Sequence, residues 1–286
     1  MGVLQTFQAT NGEGAGVTTL LLEMPTWLLA LLMIGLSVLA TLVGARLFSS
    51  VMADPTENSA VTALHASVST IYTVLLAFVV VIVWQQFTDA NSQVVTEATR
   101  LSNILRDSQV MEPDDRESMQ RAIGDYIRLT STREWASMSD GRGADPETNT
   151  AYQLIWDAAY SFQPQGFVQE SFYQEMLVRM NELGTARRTR LLSAQGSVPQ
   201  LLWLLLIVGA GVVTVLSYYL PHGPEKGSKF ALASTSSVIA LTLFLIFVMD
   251  HPYTGNLRVH PTPLTELLPR TEIGSTDSSQ EQHAPS

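Results

Sequence analysis

The stretch STIYTVLLAFVVVIVWQQFTDANSQVVTEATRLSNILRDS, residues 69–108, decides the fold. Up to Phe87 it carries no charged residue and is apolar nearly all round, which is typical of a helix in lipid. Charges return after that point, while apolar residues keep recurring at three- and four-residue steps, at Val94, Ala98, Leu101 and Leu105. The stretch therefore predicts one helix that leaves a membrane and continues into water.

Three further runs of the same kind lie elsewhere in the chain. Each has about 20 residues, enough to cross roughly 30 Å of hydrocarbon at 1.5 Å per residue. We therefore predict an all-α protein with four transmembrane helices, at 24–48, 68–87, 198–220 and 230–249. Small residues four apart, such as Ser37 with Thr41 and Ser236 with Ala240, favour close packing between these spans.

The charge distribution predicts a second, water-facing part. Only 15% of the 286 residues are charged, against roughly 25% in an ordinary soluble domain. Residues 89–197 nevertheless hold 27 of the 42 charged residues, which is about the soluble density. We predict a helical extramembrane domain at 88–197, inserted between the second and third spans, with an N-terminal segment at 1–23 and an irregular to disordered tail at 250–286.

Composition disfavours several classes of function. A net charge of −10 disfavours a nucleic-acid partner, whose phosphates require clustered Lys and Arg. The absence of Cys excludes thiolate metal sites and thiol nucleophiles, and no catalytic motif occurs, so we expect neither an enzyme nor a cofactor. His251 and His260 are close enough in sequence to share a metal, but solvent-facing imidazoles are the more ordinary interpretation, and we expect no metal site. The histidines are His65, His222, His251, His260 and His283.

The second span is the best candidate for a pore. Ion-coupled transporters usually keep an ionisable residue at membrane depth, and the last three spans have none. The sequence still allows a passive pore that is lined by hydroxyls and has an apolar constriction. Hydroxyl residues followed by apolar ones share about one face of this span: Ser67, Thr70, Thr73 or Val74, Ala77, Val81 and Trp84. The ordinary alternative is that these hydroxyls bond back to carbonyls of their own helix.

Basic residues predict the orientation in the cell membrane. An even number of spans places both termini and the segment 88–197 on one side. Near the membrane that side carries Arg100, Arg187, Arg188, Arg190 and Arg258, and the other side carries Arg46, Lys226 and Lys229. The positive-inside rule then predicts a plasma-membrane protein whose segment 88–197 and termini are cytoplasmic.

The same residues resemble a known family. The block 69–108 is similar to the hallmark block of the bestrophin-like domain family, uncharacterised bacterial multi-pass membrane proteins, and two further blocks, 125–138 and 249–261, follow in the family's order. The matching positions are Tyr72, Leu75, Ala77, Phe78, Trp84, Ala90, Glu97, Ala98, Leu101, Leu105, Arg106, Tyr126, Glu134, Trp135, Asp250, Pro252, Gly255 and Val259. Ser69 and His251 depart from the family pattern, which has Gly and Arg at those positions.

The resemblance implies four spans around a helical domain and, by analogy with bestrophins, a homo-oligomeric passive ion (anion) channel lined by the second span. Its partners are then the lipid bilayer and small inorganic ions. The alternative is a non-conducting membrane scaffold or sensor whose domain 89–197 binds a partner or ligand. Glu97 and Arg106 are candidate juxtamembrane contacts, either between subunits or at a cytoplasmic mouth, and an exposed helix face with weak pairs is an equal alternative.

Overall fold

The computed structural model describes residues 25–47, 59–194, 196, 198–220 and 225–271. Within these residues every regular element is a helix. Four helices are long and apolar enough to cross a membrane: α1 (Thr26–Leu47), α2 (Ser59–Asp107), α7 (Gln200–Tyr218) and α8 (Glu225–Met249). The prediction of an all-α fold with four membrane-spanning helices is confirmed.

Shorter helices lie between the second and third spans and after the fourth. They are α3 (Pro113–Leu129), α4 (Trp135–Ser139), α5 (Pro146–Ser161), α6 (Gly166–Ser193) and α9 (Thr262–Thr265). A 3-10 turn, Ser108–Val110, ends α2, and a π-helical turn, Thr130–Glu134, joins α3 to α4. The starts of α3 and α5 follow the sequence: each has Pro in its first turn, and Asp145 accepts a hydrogen bond from Thr148 N at 2.9 Å.

Helix α2 is the longest element of the described chain. Its 49 residues correspond to about 74 Å at 1.5 Å per residue, more than twice the thickness of the hydrocarbon core. It begins at Ser59, nine residues before the predicted span, and runs without a break into the charged segment. No Gly or Pro occurs between its ends, so nothing in the sequence kinks or interrupts it.

The spans pack around two small apolar clusters. One face of α2, with Tyr72, Leu76 and Val83, lies against α7 and α8. Helix α1 lies against α8, where the Ser37 hydroxyl donates to the Ser236 carbonyl at 3.2 Å. That contact joins two of the small-residue positions that the sequence indicates for close packing.

The residues between the second and third spans form a core of their own, called here the intervening domain (89–194). The second half of α2 packs along α6, and α3 packs against α5. Part of the tail also belongs to this core, because Tyr253, Val259 and Leu264 are buried in it. The segment 250–271 is thus folded onto the intervening domain, and residues 272–286 lie outside the described chain.

Candidate functional site

The candidate pore face is the side of α2 that contacts nothing else in the described chain. All seven predicted pore-lining residues are exposed, and Val81 and Trp84 keep 65% and 61% of their surface. The opposite face, which includes Val79 and Val83, is buried against neighbouring helices. The seven positions therefore share one unpartnered face: Ser67, Thr70, Thr73, Val74, Ala77, Val81 and Trp84.

Polarity changes in order along this face. The hydroxyls of Ser67 and Thr70 donate to the carbonyls of Ala63 and Ala66, at 2.9 and 2.8 Å, as the ordinary interpretation expects. Both residues are exposed, and each hydroxyl oxygen can still accept a hydrogen bond. An apolar stretch from Val74 to Trp84 follows. Beyond it most exposed residues are polar, including Thr88, Asp89, Asn91, Ser92 and Thr99, although Val95 is also 47% exposed.

Glu97 does not lie on this face. It is fully buried in the intervening domain, where its carboxylate accepts two hydrogen bonds from Arg190, at 2.6 Å from Nε and 3.2 Å from Nη2. The Tyr126 hydroxyl donates to the same carboxylate. Two interpretations of Glu97 from the sequence, an exposed helix face and a contact between subunits, do not fit this position. Glu97 is buried, and its hydrogen-bond partners belong to its own chain.

A second carboxylate completes the cluster. Glu134 accepts hydrogen bonds from Arg190 Nη2 and Arg187 Nη2, both at 2.7 Å. It ends the π-helical turn, a local widening that is frequent at functional positions. Aromatic rings lie beside the guanidinium groups: Arg190 is 5.1 Å from the Trp135 ring centroid, and Arg187 is 5.1 Å from that of Tyr152.

The buried ionic cluster (Glu97, Glu134, Arg187 and Arg190) is balanced in charge. Burial on its own lowers the pKa of a guanidinium, but the neighbouring groups, Glu97 foremost among the carboxylates, hold the pKa of Arg190 well above its ordinary value. Burial, reinforced by the charge of Glu97, raises the pKa of Tyr126 well above its ordinary value near about 10. Tyr126 therefore stays a neutral hydrogen-bond donor at every physiological pH.

The arginines of the cluster are not a basic rim beside the third span. The run ARRTRLL at 186–192 is read most simply from the sequence as a basic segment next to the membrane. In the structure Arg187 and Arg190 point into the domain core, one turn apart on α6, and only Arg188 among the three is exposed. The resemblance already singled out Glu97, Tyr126 and Glu134, whereas no local pattern indicated their arginine partners.

Arg106 lies apart from the cluster, near the far end of α2. It is exposed, and its Nη2 donates to Asn103 Oδ1 at 3.2 Å. The neighbouring Asp107 instead turns inward and pairs with Arg179 at 2.5 Å, an interaction that joins α2 to α6.

The histidines within the described chain are separate from one another. His65 lies 3.0 Å from the Ser217 hydroxyl, and His251 Nδ1 lies 3.1 Å from the Phe247 carbonyl. His260 is exposed. His222 and His283 lie outside the described residues. Within those residues, no three His, Asp or Glu side chains are grouped to hold a metal ion.

Asp250 fixes the junction between the last two spans and the domain. Its carboxylate accepts from Val198 N at 2.9 Å and from Trp203 Nε1 at 3.3 Å. A few residues on, the Trp135 indole donates to the Val259 carbonyl at 3.0 Å. The segment after α8 thereby ties the membrane part to the ionic cluster.

Comparison with known proteins agrees with this architecture. The family model described as "Bestrophin-like domain" matches residues 31–264. The chain belongs to the bestrophin-like domain family. This identification confirms the resemblance in the sequence and covers both the spans and the intervening domain.

Solved structures of bestrophin homologues share the fold of this family member. A point mutant of a bacterial bestrophin homologue from Klebsiella pneumoniae is 15% identical, with a TM-score of 0.66 over 85% of this chain and 99% of that one. A structure of a bacterial bestrophin homologue from the same organism, solved by Zn-SAD phasing, has a TM-score of 0.63 at 15% identity, over 86% and 97% of the two chains. No curated protein matches the sequence.

Proposed function

We propose that this bestrophin-like protein is a homo-oligomeric, passive ion channel in which the exposed face of α2 lines the pore. One observation carries the proposal. The unpartnered face of α2 is ordered from hydroxyls at Ser67 and Thr70, through an apolar neck, to further hydroxyls and amides beyond Trp84. Such an order gives a polar vestibule and a constriction that can gate by dewetting.

The packing of one chain supports an oligomer. Because the other face of α2 packs on α7 and α8 and its candidate pore face stays exposed, we propose that copies of α2 surround the pore axis. The permeating species are then small inorganic ions, and anions in particular by analogy with bestrophins. The Ser67 and Thr70 hydroxyls can donate to a passing anion only by rotating away from the carbonyls of Ala63 and Ala66.

Conductance of purified protein in planar bilayers tests this proposal. Ala77→Phe places a bulky ring at the apolar neck, and we expect it to abolish the current that the unsubstituted oligomer carries. Leu36→Phe is the control, because Leu36 is also exposed, on α1, but lies on no proposed pore face. A correctly assembled oligomer that carries no current, or equal loss in both variants, would contradict the proposal.

One observation favours the alternative of a non-conducting scaffold or sensor. At the turn from α5 to α6, Tyr160, Phe167 and Val168 are exposed together, Phe167 at 86%. An apolar patch of this kind on a water-facing domain fits a protein contact. Under that alternative Phe167→Ser removes binding of a partner, and the purified oligomer does not conduct.

We further propose that the intervening domain and both termini are cytoplasmic. The burial of Arg187 and Arg190 leaves the charge argument intact, because the positive-inside rule acts while the chain inserts, before the domain folds. The natural sequence has no Cys, so Ser161→Cys on the exposed end of α5 provides a single label site. A membrane-impermeant maleimide should label it only after the cells are opened.

A further inference from the structure

A small polar pocket lies at the far end of α2, between that helix, α3 and the segment after α9. Its volume is about 280 Å³. The lining residues are Ser102, Leu105, Arg106, Gln109, Gln120 and Arg270. Apart from Leu105 these side chains all carry hydrogen-bond donors, and no carboxylate of the described chain lines the pocket.

The two arginines of the pocket hold their charges free of ion pairs. Arg270 donates to the Ser102 hydroxyl at 3.1 Å and Arg106 to Asn103, both neutral partners. Within the described residues no Asp or Glu lies within 4.0 Å of either guanidinium, and the adjacent Asp107 pairs with Arg179. Two guanidinium groups without a direct ion pair therefore line the same pocket, and Asp107 acts on Arg106 only at longer range.

Gln120 adds a further polar side chain to the pocket. It is only 7% exposed, and its carboxamide makes no hydrogen bond to any other residue of the described chain. Its amide atoms are therefore accessible from the pocket and free to hydrogen-bond a molecule that enters it. Gln120 lines the same pocket as Arg106 and Arg270.

We propose that this pocket binds a soluble oxyanion, inorganic phosphate or a small phosphate monoester. Paired guanidinium groups match the geometry of phosphate oxygens, and the carboxamide and hydroxyl add neutral donors. A volume of about 280 Å³ holds a phosphate with a few further atoms, below the usual range for larger ligands.

Its position separates this ligand from membrane lipid. Arg106 lies 22 residues beyond Trp84 on one continuous helix, about 33 Å along its axis. Lipid headgroups at the membrane surface do not reach that far. Arg106 also follows Ala77 by 29 residues, about eight turns, so the pocket lies at the end of the face that carries the apolar neck.

Isothermal titration of the detergent-solubilised full-length protein tests the pocket, and it needs no ion conduction. Potassium phosphate should bind saturably at constant ionic strength, and potassium chloride should not. In the double variant R106Q/R270Q we expect the phosphate affinity to fall about tenfold or more, because charge-assisted hydrogen bonds are lost. Both positions are exposed, and an unchanged elution volume and helix content would establish that the variant folds.

Two further variants sharpen the result. Gln120→Leu removes the carboxamide at constant net charge, and we expect weaker phosphate binding. Arg142→Gln is the control. Arg142 does not line the pocket and pairs with Asp140 at 2.6 Å, so this variant should bind phosphate with unchanged affinity. The proposal is overturned by an absence of saturable phosphate binding, by equal affinity in R106Q/R270Q, or by displacement of phosphate by phosphatidylglycerol vesicles, which would assign the site to lipid headgroups.

Discussion

Arg190 carries a full positive charge at a position without any exposed surface. Its guanidinium is shared between Glu97 and Glu134, and Glu134 also holds Arg187. In such a cluster each charge is tolerable only because the others are present. Removal of one carboxylate therefore leaves a buried arginine with too few partners, which is worse than the loss of an ordinary hydrogen bond.

Glu97→Gln should lower the free energy of unfolding by about 3 kcal/mol or more. The matched control is Glu182→Gln, because Glu182 pairs with Arg100 at 3.1 Å between the same two helices but is 45% exposed. That change should cost under about 1 kcal/mol. Thermal unfolding of the detergent-solubilised protein measures both, and equal effects would contradict the assignment of the cluster as a buried anchor.

Tyr126 predicts a dependence on alkaline pH. In the folded protein, burial and, to a smaller extent, the charge of Glu97 raise the pKa of Tyr126. In the unfolded protein a tyrosine has a pKa of about 10. Above that pH the unfolded state releases a proton that the folded state keeps, so the free energy of unfolding falls as pH rises. Tyr126→Phe should flatten this decline, measured as unfolding free energy at several pH values. An unchanged slope would show that Tyr126 does not cause it.

At the scale of single residues, the sequence indicated Glu97 but not its environment. Arg190 follows it by 93 residues, and no periodicity connects positions so distant. Only the resemblance to a family indicated Glu97, Tyr126 and Glu134 together, because all three match the family pattern. Their arginine partners resembled a basic segment beside a span, because charge type alone does not distinguish a buried arginine from an exposed one.

Whole elements were predicted more fully. The four spans follow from length and apolarity, and α2 follows from an apolar run that passes into a heptad-like pattern without Gly or Pro. The folding of the tail onto the intervening domain was not predicted. Tyr253, Val259 and Leu264 are spaced with neither a helical nor a strand period, so their burial has no local signature.

Packing between elements gives a prediction with its own control. The ring of Tyr72 lies over Gly209, where an added Cβ would come within 2.6 Å of ring carbons, whereas a Cβ at Gly211 would meet nothing within 4 Å. Gly209→Ala should therefore separate α2 from α7 and destabilise the protein by about 1–3 kcal/mol. Gly211→Ala should be neutral or slightly stabilising in the same thermal unfolding experiment. The reverse order would contradict this packing.

At the scale of the whole molecule, the exposed face of α2 predicts how copies meet. Because the chain has no Cys, Ala77→Cys is a unique reactive site at the proposed neck. If copies of α2 surround an axis, oxidation or a short bis-maleimide should link neighbouring subunits into dimers on a denaturing gel. Leu36→Cys, on the exposed face of α1, should remain monomeric. Equal cross-linking at both positions would contradict a central position for α2.

Assembly is the level that the sequence predicts least. An apolar surface avoids water, but either lipid or a second copy of the protein can cover it equally well. The order of hydroxyl and apolar side chains on α2 distinguishes its face from that of α1, which is apolar along its exposed side. That order, rather than hydrophobicity, is the property of the sequence that points to a pore.

The unbroken course of α2 has a mechanical consequence. Because α2 has no Gly or Pro, it moves as one rigid body, and its contacts with α7 and α8 are the point about which it would tilt. A tilt of about 5° at Trp84 would displace the Arg106 end by about 3 Å, roughly two residues of helical rise. In the proposed channel, a tilt of the intervening domain would therefore change the width of the apolar neck, and a molecule that binds the domain would act on the neck without a hinge in α2.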